Sequence, residues 1–277
     1  MPVDGVNIKR EFAEALNSMH LSIGYTQFAV DELVKSGLTS PTQVIPHGID
    51  TGLFSPVDMT VARKKLRDIP RDWFIVGLVN RNQPRKRIDL AMQYFAEWAK
   101  DKPDNVKFYF HGALRDLGWD IMQLAEYHNI GDRLVITSPD MTPANGVPRD
   151  FLKFIYSSMN VHITTTLGEG WGLTQMESMA CKVANIVPNW SGLGEWAKNG
   201  ASFIPCTSTQ THTGGLNTIG GVADKALFIA ELDKMYHNRG YRESVAQSGY
   251  DLVTKPEFQW SNIARRFDSE FTKLLYK

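Results

Sequence analysis

The sequence predicts an α/β fold in which helices flank a parallel sheet. Two observations carry that expectation. Short apolar segments alternate with helical ones from Trp73 to Val187, and polar, glycine- or basic-rich loops follow the apolar segments. Strands alternating with helices in this way read as βαβ units. The composition is consistent with a globular domain: 277 residues, 43% apolar and 22% charged. Thirty Lys and Arg balance thirty Asp and Glu, which argues against coating nucleic acid by bulk charge alone.

The elements follow in order. His20-Leu-Ser-Ile-Gly-Tyr25 reads as a buried strand, Thr26 caps a helix to Ser36, and Gly37 ends it. Val44-Ile45 forms a short strand halted by Pro46, and a charged helix spans 57–68 with Arg63, Lys64, Lys65 and Arg67. Strands are expected at 73–79, 106–111, 133–137, 160–164 and 183–187, and helices at 88–100, 119–128, 149–157 and 172–181. A glycine-rich turn is expected at 191–194 and a mobile excursion over the Thr- and Gly-rich 207–221. Helices follow at 222–238 and 240–250, and Ser261 caps a last amphipathic helix.

Nothing in the chain approaches the run of about 20 apolar residues that spans a bilayer. The first twenty residues carry Asp4, Lys9, Arg10, Glu11 and Glu14 and so lack the apolar core of a signal peptide, which makes a cytoplasmic location the expectation. Cys181 and Cys206 are expected to be unpaired thiols.

In open sheets of this class ligands sit at the carboxyl ends of the strands. The richest such loop is Gly168-Glu-Gly-Trp-Gly-Leu-Thr-Gln-Met-Glu177. Its glycines allow close approach to a ligand, and the N–H groups where a helix opens near Gly172 suit a diphosphate. Leu173, Met176 and Ala180 mark the buried face of that helix, and Glu177 lies on the same face. A buried carboxylate there needs a partner, such as a ribose diol or a cation. Glu169, at the loop itself, is placed to meet a sugar hydroxyl.

The second loop, Asn80-Arg81-Asn-Gln-Pro-Arg85-Lys86-Arg87-Ile-Asp89, sets Arg81 and Lys86 to converge on an anion. The third, Ser191-Gly192-Leu-Gly194-Glu195, matches a dinucleotide fingerprint in letters only. It comes late in the domain, and no acidic residue follows about 20 positions on. Gly192 therefore reads as part of a turn lining a ligand pocket. There is no phosphate-loop motif, no His-Glu-x-x-His and no nucleophile elbow in the sequence.

These three loops, in this order, resemble the carboxyl-terminal half of GT-B glycosyltransferases of retaining family 4. Glu169 and Glu177 match that family's Glu-x7-Glu element, and Arg81 and Lys86 match its Arg…Lys pair. Val44-Ile-Pro-His-Gly-Ile-Asp-Thr51 through Pro56 is similar to its interdomain connector, and Phe258-Gln-Trp-Ser261 to its crossing helix. The wording of 80–89 is closest to glycosyltransferases of large DNA viruses.

The resemblance implies a Rossmann-like domain over 57–256, an amino-terminal remnant and connector over 1–56, and a crossing helix over 257–277. It implies a nucleotide-diphosphate sugar as donor, with no cofactor and no metal. Arg81 and Lys86 would neutralise the diphosphate, helped by backbone N–H groups of Gly170, Trp171, Gly172 and Leu173. Glu177 would hold the ribose, Glu169 the donor sugar, and the 136–141 segment, with Ser138, the base. A full amino-terminal domain of roughly 150–200 residues would come from a partner chain. Two other readings share the site: a non-catalytic nucleotide-sugar-binding module, and a transferase acting on a hydroxylated DNA base, suggested by the basic stretches at 63–67 and 81–87.

Overall fold

The computed structural model describes residues 1–212 and 217–276. In chain order the elements are α1 (Arg10–Ala15), β1 (Ser22–Gly24), α2 (Gln27–Lys35), β2 (Thr42–Val44), α3 (Met59–Lys65), β3 (Phe74–Val79) and α4 (Ile88–Ala99). Then come β4 (Val106–His111), α5 (Ile121–Tyr127), β5 (Leu134–Ile136), α6 (Leu152–Ser157), β6 (Val161–Ile163), α7 (Leu173–Ala180), β7 (Ala184–Pro188) and α8 (Ser191–Trp196). The chain continues through β8 (Ser202–Ile204), β9 (Cys206–Thr211), β10 (Ile219–Ala223), α9 (Lys225–His237), α10 (Arg239–Val253) and α11 (Trp260–Leu275).

Six strands form one parallel sheet in the order β5-β4-β3-β6-β7-β8. The α/β expectation therefore holds. Strand order reverses between β3 and β6, so a crevice opens at their carboxyl ends. The strands that flank this point are buried on both faces, which is why Ile75-Val-Gly-Leu-Val79 and Val161-His-Ile163 carry almost no exposed side chain. Helices cover both sides of the sheet. One core cluster joins α4, α5 and α9 to the sheet through Phe95, Trp98, Phe108, Ile121 and Phe228, and a second joins α6, α7 and α10 through Tyr156, Met176, Met179 and Val253.

A separate two-stranded parallel sheet, β1 with β2, sits near the amino terminus. Thr26 caps α2 as its sequence suggests, its hydroxyl accepting from Ala29 N at 3.1 Å. The connector after β2 meets the last helix: Ile49 N donates to Phe258 O at 2.8 Å, and the His47 ring lies edge-on to Trp260 at 4.8 Å.

Four expectations need correction. The stretch 191–194 is not a turn but the start of α8, because Gly192 lies where a Cβ would be 2.6 Å from Gly170 O, so packing overrides weak helix propensity. The 207–221 excursion is mostly an antiparallel hairpin of β9 and β10, in which alternating Thr207, Thr209 and Thr211 are good strand formers; positions 213–216 of that stretch lie outside the described residues. Ser261 does not cap α11, which begins at Trp260 with Gln259 O accepting from Ile263 N at 3.1 Å. Its entry is set by Trp260 packing on the connector rather than by a side-chain cap. Finally, Leu173 is 46% exposed, because at the start of α7 it falls outside the buried arc of Gln175, Met176, Ser178, Met179 and Ala180. α1 and β8, both short, were not legible in the sequence. Cys181 and Cys206 are both free thiols, and burial pushes Cys181 up to about 12.

Arg63 is the largest fully buried side chain among the described residues, so it is withdrawn from the basic stretch 63–67, whose Lys64, Lys65 and Arg67 stay exposed. Its Nε donates to Ser158 O at 3.0 Å, Nη1 to Pro70 O at 3.1 Å and to Arg71 O at 2.8 Å, and Nη2 to Asn160 Oδ1 at 3.0 Å. Asn160 Oδ1 in turn accepts from Ile75 N at 2.8 Å, so the guanidinium ties α3 to the start of β3 and to the entry of β6. Burial pulls its pKa down to about 10, still far above neutrality. Arg63→Ala strands these acceptors and is expected to cost about 3 kcal/mol, measured by urea unfolding; a loss below about 1 kcal/mol would show that the network does not hold α3 in place.

Candidate nucleotide-sugar site

The loops after β3 and β6 meet at the crevice. After β3 the chain makes a tight turn, Pro84–Lys86, and Arg87 adopts a left-handed conformation (φ 47°) before α4 begins. After β6 the segment 164–168 runs beside that turn and is bonded to it. Thr165 Oγ1 donates to Arg87 O at 2.7 Å, and Leu167 N donates to Arg85 O at 2.9 Å. Gly172, with φ at 91°, then opens α7, a backbone conformation that glycine adopts at no steric cost.

This lacing brings Lys86 and Glu169 together, with Nζ to Oε1 at 2.5 Å. Arg85 joins them, its Nη1 at 3.1 Å from Glu169 Oε2, and its Nε at 2.9 Å from Asp4 Oδ2. Glu169 is only 6% exposed. Burial pushes its carboxyl up, but the Lys86 and Arg85 cations outweigh that and hold it below the usual carboxylate range. The backbone of Glu169 is fixed as well: its N–H donates to Ser191 Oγ at 2.9 Å, and Ser191 Oγ donates to its carbonyl at 3.0 Å.

Arg81 departs from the expected convergence. Its Nε pairs with Asp116 at 2.8 Å, and the side chain is half exposed. Arg85, and not Arg81, shares Glu169 with Lys86. Arg81 instead lines a neighbouring cavity of about 280 Å³ together with Asn80, His111, Met141, Tyr156 and Glu177. There Tyr156 donates its hydroxyl to Glu177 Oε2 at 2.8 Å. Burial raises the Glu177 carboxyl to about 6, against which the Tyr156 hydrogen bond works. Asn80 Nδ2 is buried without a hydrogen-bond partner among the described residues, and so are both polar side-chain atoms of Gln175 in α7. An unpartnered buried amide costs on the order of 1–3 kcal/mol, so such groups mark places where a ligand or water is satisfied. His111, half-buried, is lowered by desolvation to about 4, stays neutral and shares Nδ1 with Thr137 Oγ1 at 2.8 Å.

The expected set thus falls into two groups, Lys86 with Glu169 and Arg81 with Glu177, and neither Lys86 nor Glu169 lines the Glu177 cavity. Trp171 is not available as a side chain. Its indole is buried and stacks on Trp196 at 4.7 Å, so only its backbone can meet a ligand. Gly170 and Gly192 pack against each other behind the loop. Ser138 lies apart, lining another cavity with Lys65, Tyr109 and Phe151, while Met141 of the same segment reaches the Glu177 cavity. Arg85, Asn80 and Tyr156 were missed as site residues. Arg85 stood in the basic stretch, whereas nothing in the sequence marked Asn80 or Tyr156.

The model for the family described as "Glycosyl transferases group 1" matches residues 62–219, more than half of the chain. The chain belongs to the group 1 glycosyl transferases. Among curated relatives it is 29% identical over 170 residues to the D-inositol 3-phosphate glycosyltransferase of Geodermatophilus obscurus, a match covering 59% of this chain and 36% of that protein. This group 1 chain also superposes on sucrose-phosphate synthase from Thermosynechococcus elongatus with a TM-score of 0.78 at 21% identity, covering 96% of this chain and 61% of that one. Anabaena Alr3699/HepE, solved in complex with UDP and glucose, gives 0.76 at 15% identity, covering 95% and 66%. At these identities the structural likeness establishes the GT-B-type fold. The match spans well under half the length of the curated relative. No helix among the described residues is long and apolar enough to cross a membrane.

Glu169→Ala would leave the half-buried Lys86 without its carboxylate and Arg85 with Asp4 alone. Removing one member of a buried pair costs about 3–5 kcal/mol, so a clear drop in melting temperature is expected by calorimetry. A melting temperature equal to that of the parent would show the cluster to be energetically idle.

Proposed function

We propose that this chain binds a nucleotide-diphosphate sugar and is the donor half of a retaining, metal-independent glycosyltransferase of family 4. The observation that carries the reading is the pair of groups at the β3/β6 crevice, one cationic around a buried acid and one cavity holding an acid with a raised pKa. Retention rests on the Glu-x7-Glu resemblance of Glu169 and Glu177. Residues 1–56 are assigned to the connector and the amino-terminal remnant, 57–256 to the donor domain, and 257–277 to the crossing helix. Further acceptor contacts are assigned to another domain, in the same protein or in a partner chain.

In this reading ribose enters the Glu177 cavity and its hydroxyls donate to the carboxylate. The 139–142 segment flanks the base, Met141 replacing Ser138 as the contact. The diphosphate lies between Arg81 and Lys86, over the start of α7. These cations stabilise the charge that grows on the diphosphate as it leaves. Glu169 faces the donor sugar, and its bond to Lys86 is the resting arrangement with which the diphosphate competes. The acceptor oxygen bonds to the anomeric carbon as the bond from that carbon to the diphosphate oxygen breaks. The electron pair leaves with the nucleoside diphosphate, which also takes the hydroxyl proton. UDP-glucose is the first donor to test, since a structural neighbour was solved with UDP and glucose. A donor-binding module without turnover shares the same site and is told apart by whether free UDP is released.

Two measurements test the site. Lys86→Ala is expected to weaken UDP-glucose or GDP-mannose binding by about tenfold or more in calorimetry; unchanged affinity for every nucleotide sugar tried would overturn the assignment. The second is pH dependence. Glu177 titrates at about 6, above its ordinary 4.5, so its ionised, hydroxyl-accepting form dominates only above that value. UDP-glucose affinity should fall between pH 7 and 5, and Glu177→Gln should flatten the profile. The stability effect has the opposite sign: the raised pKa stabilises the fold below about 4.5, and that gain is lost as pH rises through about 6. A wild-type affinity that is flat over this range would remove Glu177 from the ribose site.

A further inference from the structure

A second cavity, of about 560 Å³, lies where the 83–87 turn, the 117–119 loop and strand β9 meet. The donor reading does not use it. Arg85 belongs to both places: it holds Glu169 through Nη1 and also lines this groove. The groove therefore begins one guanidinium away from the proposed transfer centre.

Its walls are balanced in charge. The Arg85 and Asp4 side chains pair at 2.9 Å, and Arg87 and Asp89 pair at 2.8 Å. Arg87 also donates to Gln210 Oε1. Each cation carries its own acid, so donors and acceptors alternate without excess of either sign. A phosphate or carboxylate would meet Asp4 and Asp89 as well as the arginines. The remaining wall is apolar: Leu117 is 68% exposed, Trp119 is half-buried, and Leu167 forms the floor. His212 is buried at the edge, and its Nε2 has no hydrogen-bond partner among the described residues. Burial holds His212 below its ordinary value, so the ring is a neutral polar group.

The groove is also preformed. Buried Asn82 grips Trp119 from both sides: its Oδ1 accepts from Trp119 N at 2.9 Å, and its Nδ2 donates to Trp119 O at 2.7 Å. An apolar platform ringed by fixed, mixed donors and acceptors is the lining that orients a small ligand. Neutral polyhydroxylated compounds match it, with an apolar C–H face for the indole and hydroxyls that both donate and accept.

We propose that this groove is an acceptor subsite for a neutral sugar or polyol, with Trp119 as its platform and Gln210 on its rim. The proposal rests on the donor reading above. The test titrates the full chain, saturated with UDP, with methyl α-D-glucopyranoside, methyl α-D-mannopyranoside and myo-inositol, followed by saturation-transfer NMR. At least one probe should bind, and Trp119→Ala should weaken it by about tenfold, with Gln210→Ala, an exposed position, giving a smaller loss. Both variants should bind UDP as the parent does. Inorganic phosphate should not displace the probe. Failure of all three probes to bind, equal binding by both variants, or displacement by phosphate would overturn the subsite. Loss of UDP binding by the parent chain would instead count against the donor site.

Discussion

The buried ion cluster of Lys86, Arg85 and Glu169 is the constraint around which the site is organised. A carboxylate with 6% exposure is tolerable only with partners, and both of its cations come from a different crossover. The pairing therefore works as a fold-level clasp between the β3 and β6 loops. Such clusters seldom add much net stability compared with an apolar core, because desolvation offsets attraction. What this one does is fix geometry: it holds three charged groups near the start of α7, where the proposal sets the diphosphate.

Topology explains why these loops meet. β3 and β6 are neighbours in the sheet although partners such as Val76 and Val161 are far apart in sequence, as are Arg85 and Glu169 at a separation of 84. The reversal of strand order leaves their carboxyl ends uncovered by a crossover helix. Arg63, buried beneath α3, helps hold the opposite ends of the same two strands through Asn160. The Arg63 network and the Lys86 cluster thus lie at opposite ends of one pair of strands. The basic stretches that look alike in the sequence have different work: Arg63 in the core, Lys86 at the acid, Arg87 with Asp89.

The alternation of strands and helices, and the loops at strand ends, were legible because both are local signals. That Glu169 and Lys86 lie in loops at strand carboxyl ends was legible, whereas their direct pairing was not. Which of Arg81, Arg85 and Arg87 would turn inward was not. That choice depends on the tight turn at Pro84 and on the left-handed Arg87, which no residue type in the stretch announces. Tyr156 and Asn80 were invisible for a similar reason, since each meets the site only through tertiary packing. The sequence assigns Trp171 a backbone role only, and its indole is held in the core by Trp196, 25 positions away. The hairpin of β9 and β10 read as an excursion because its glycines masked an alternating Thr pattern. It is pinned to the amino-terminal segment, with Val6 N donating to Ile219 O at 3.0 Å and Ile219 N donating to Val6 O at 2.8 Å.

A crystal structure of the chain soaked with UDP-glucose confronts this picture most directly. Density for the diphosphate should lie within hydrogen-bonding distance of Lys86 Nζ, with the ribose hydroxyls on Glu177 and the bond from Lys86 to Glu169 opened or shared. Nucleotide bound elsewhere, with the Lys86, Arg85 and Glu169 cluster undisturbed, would contradict it.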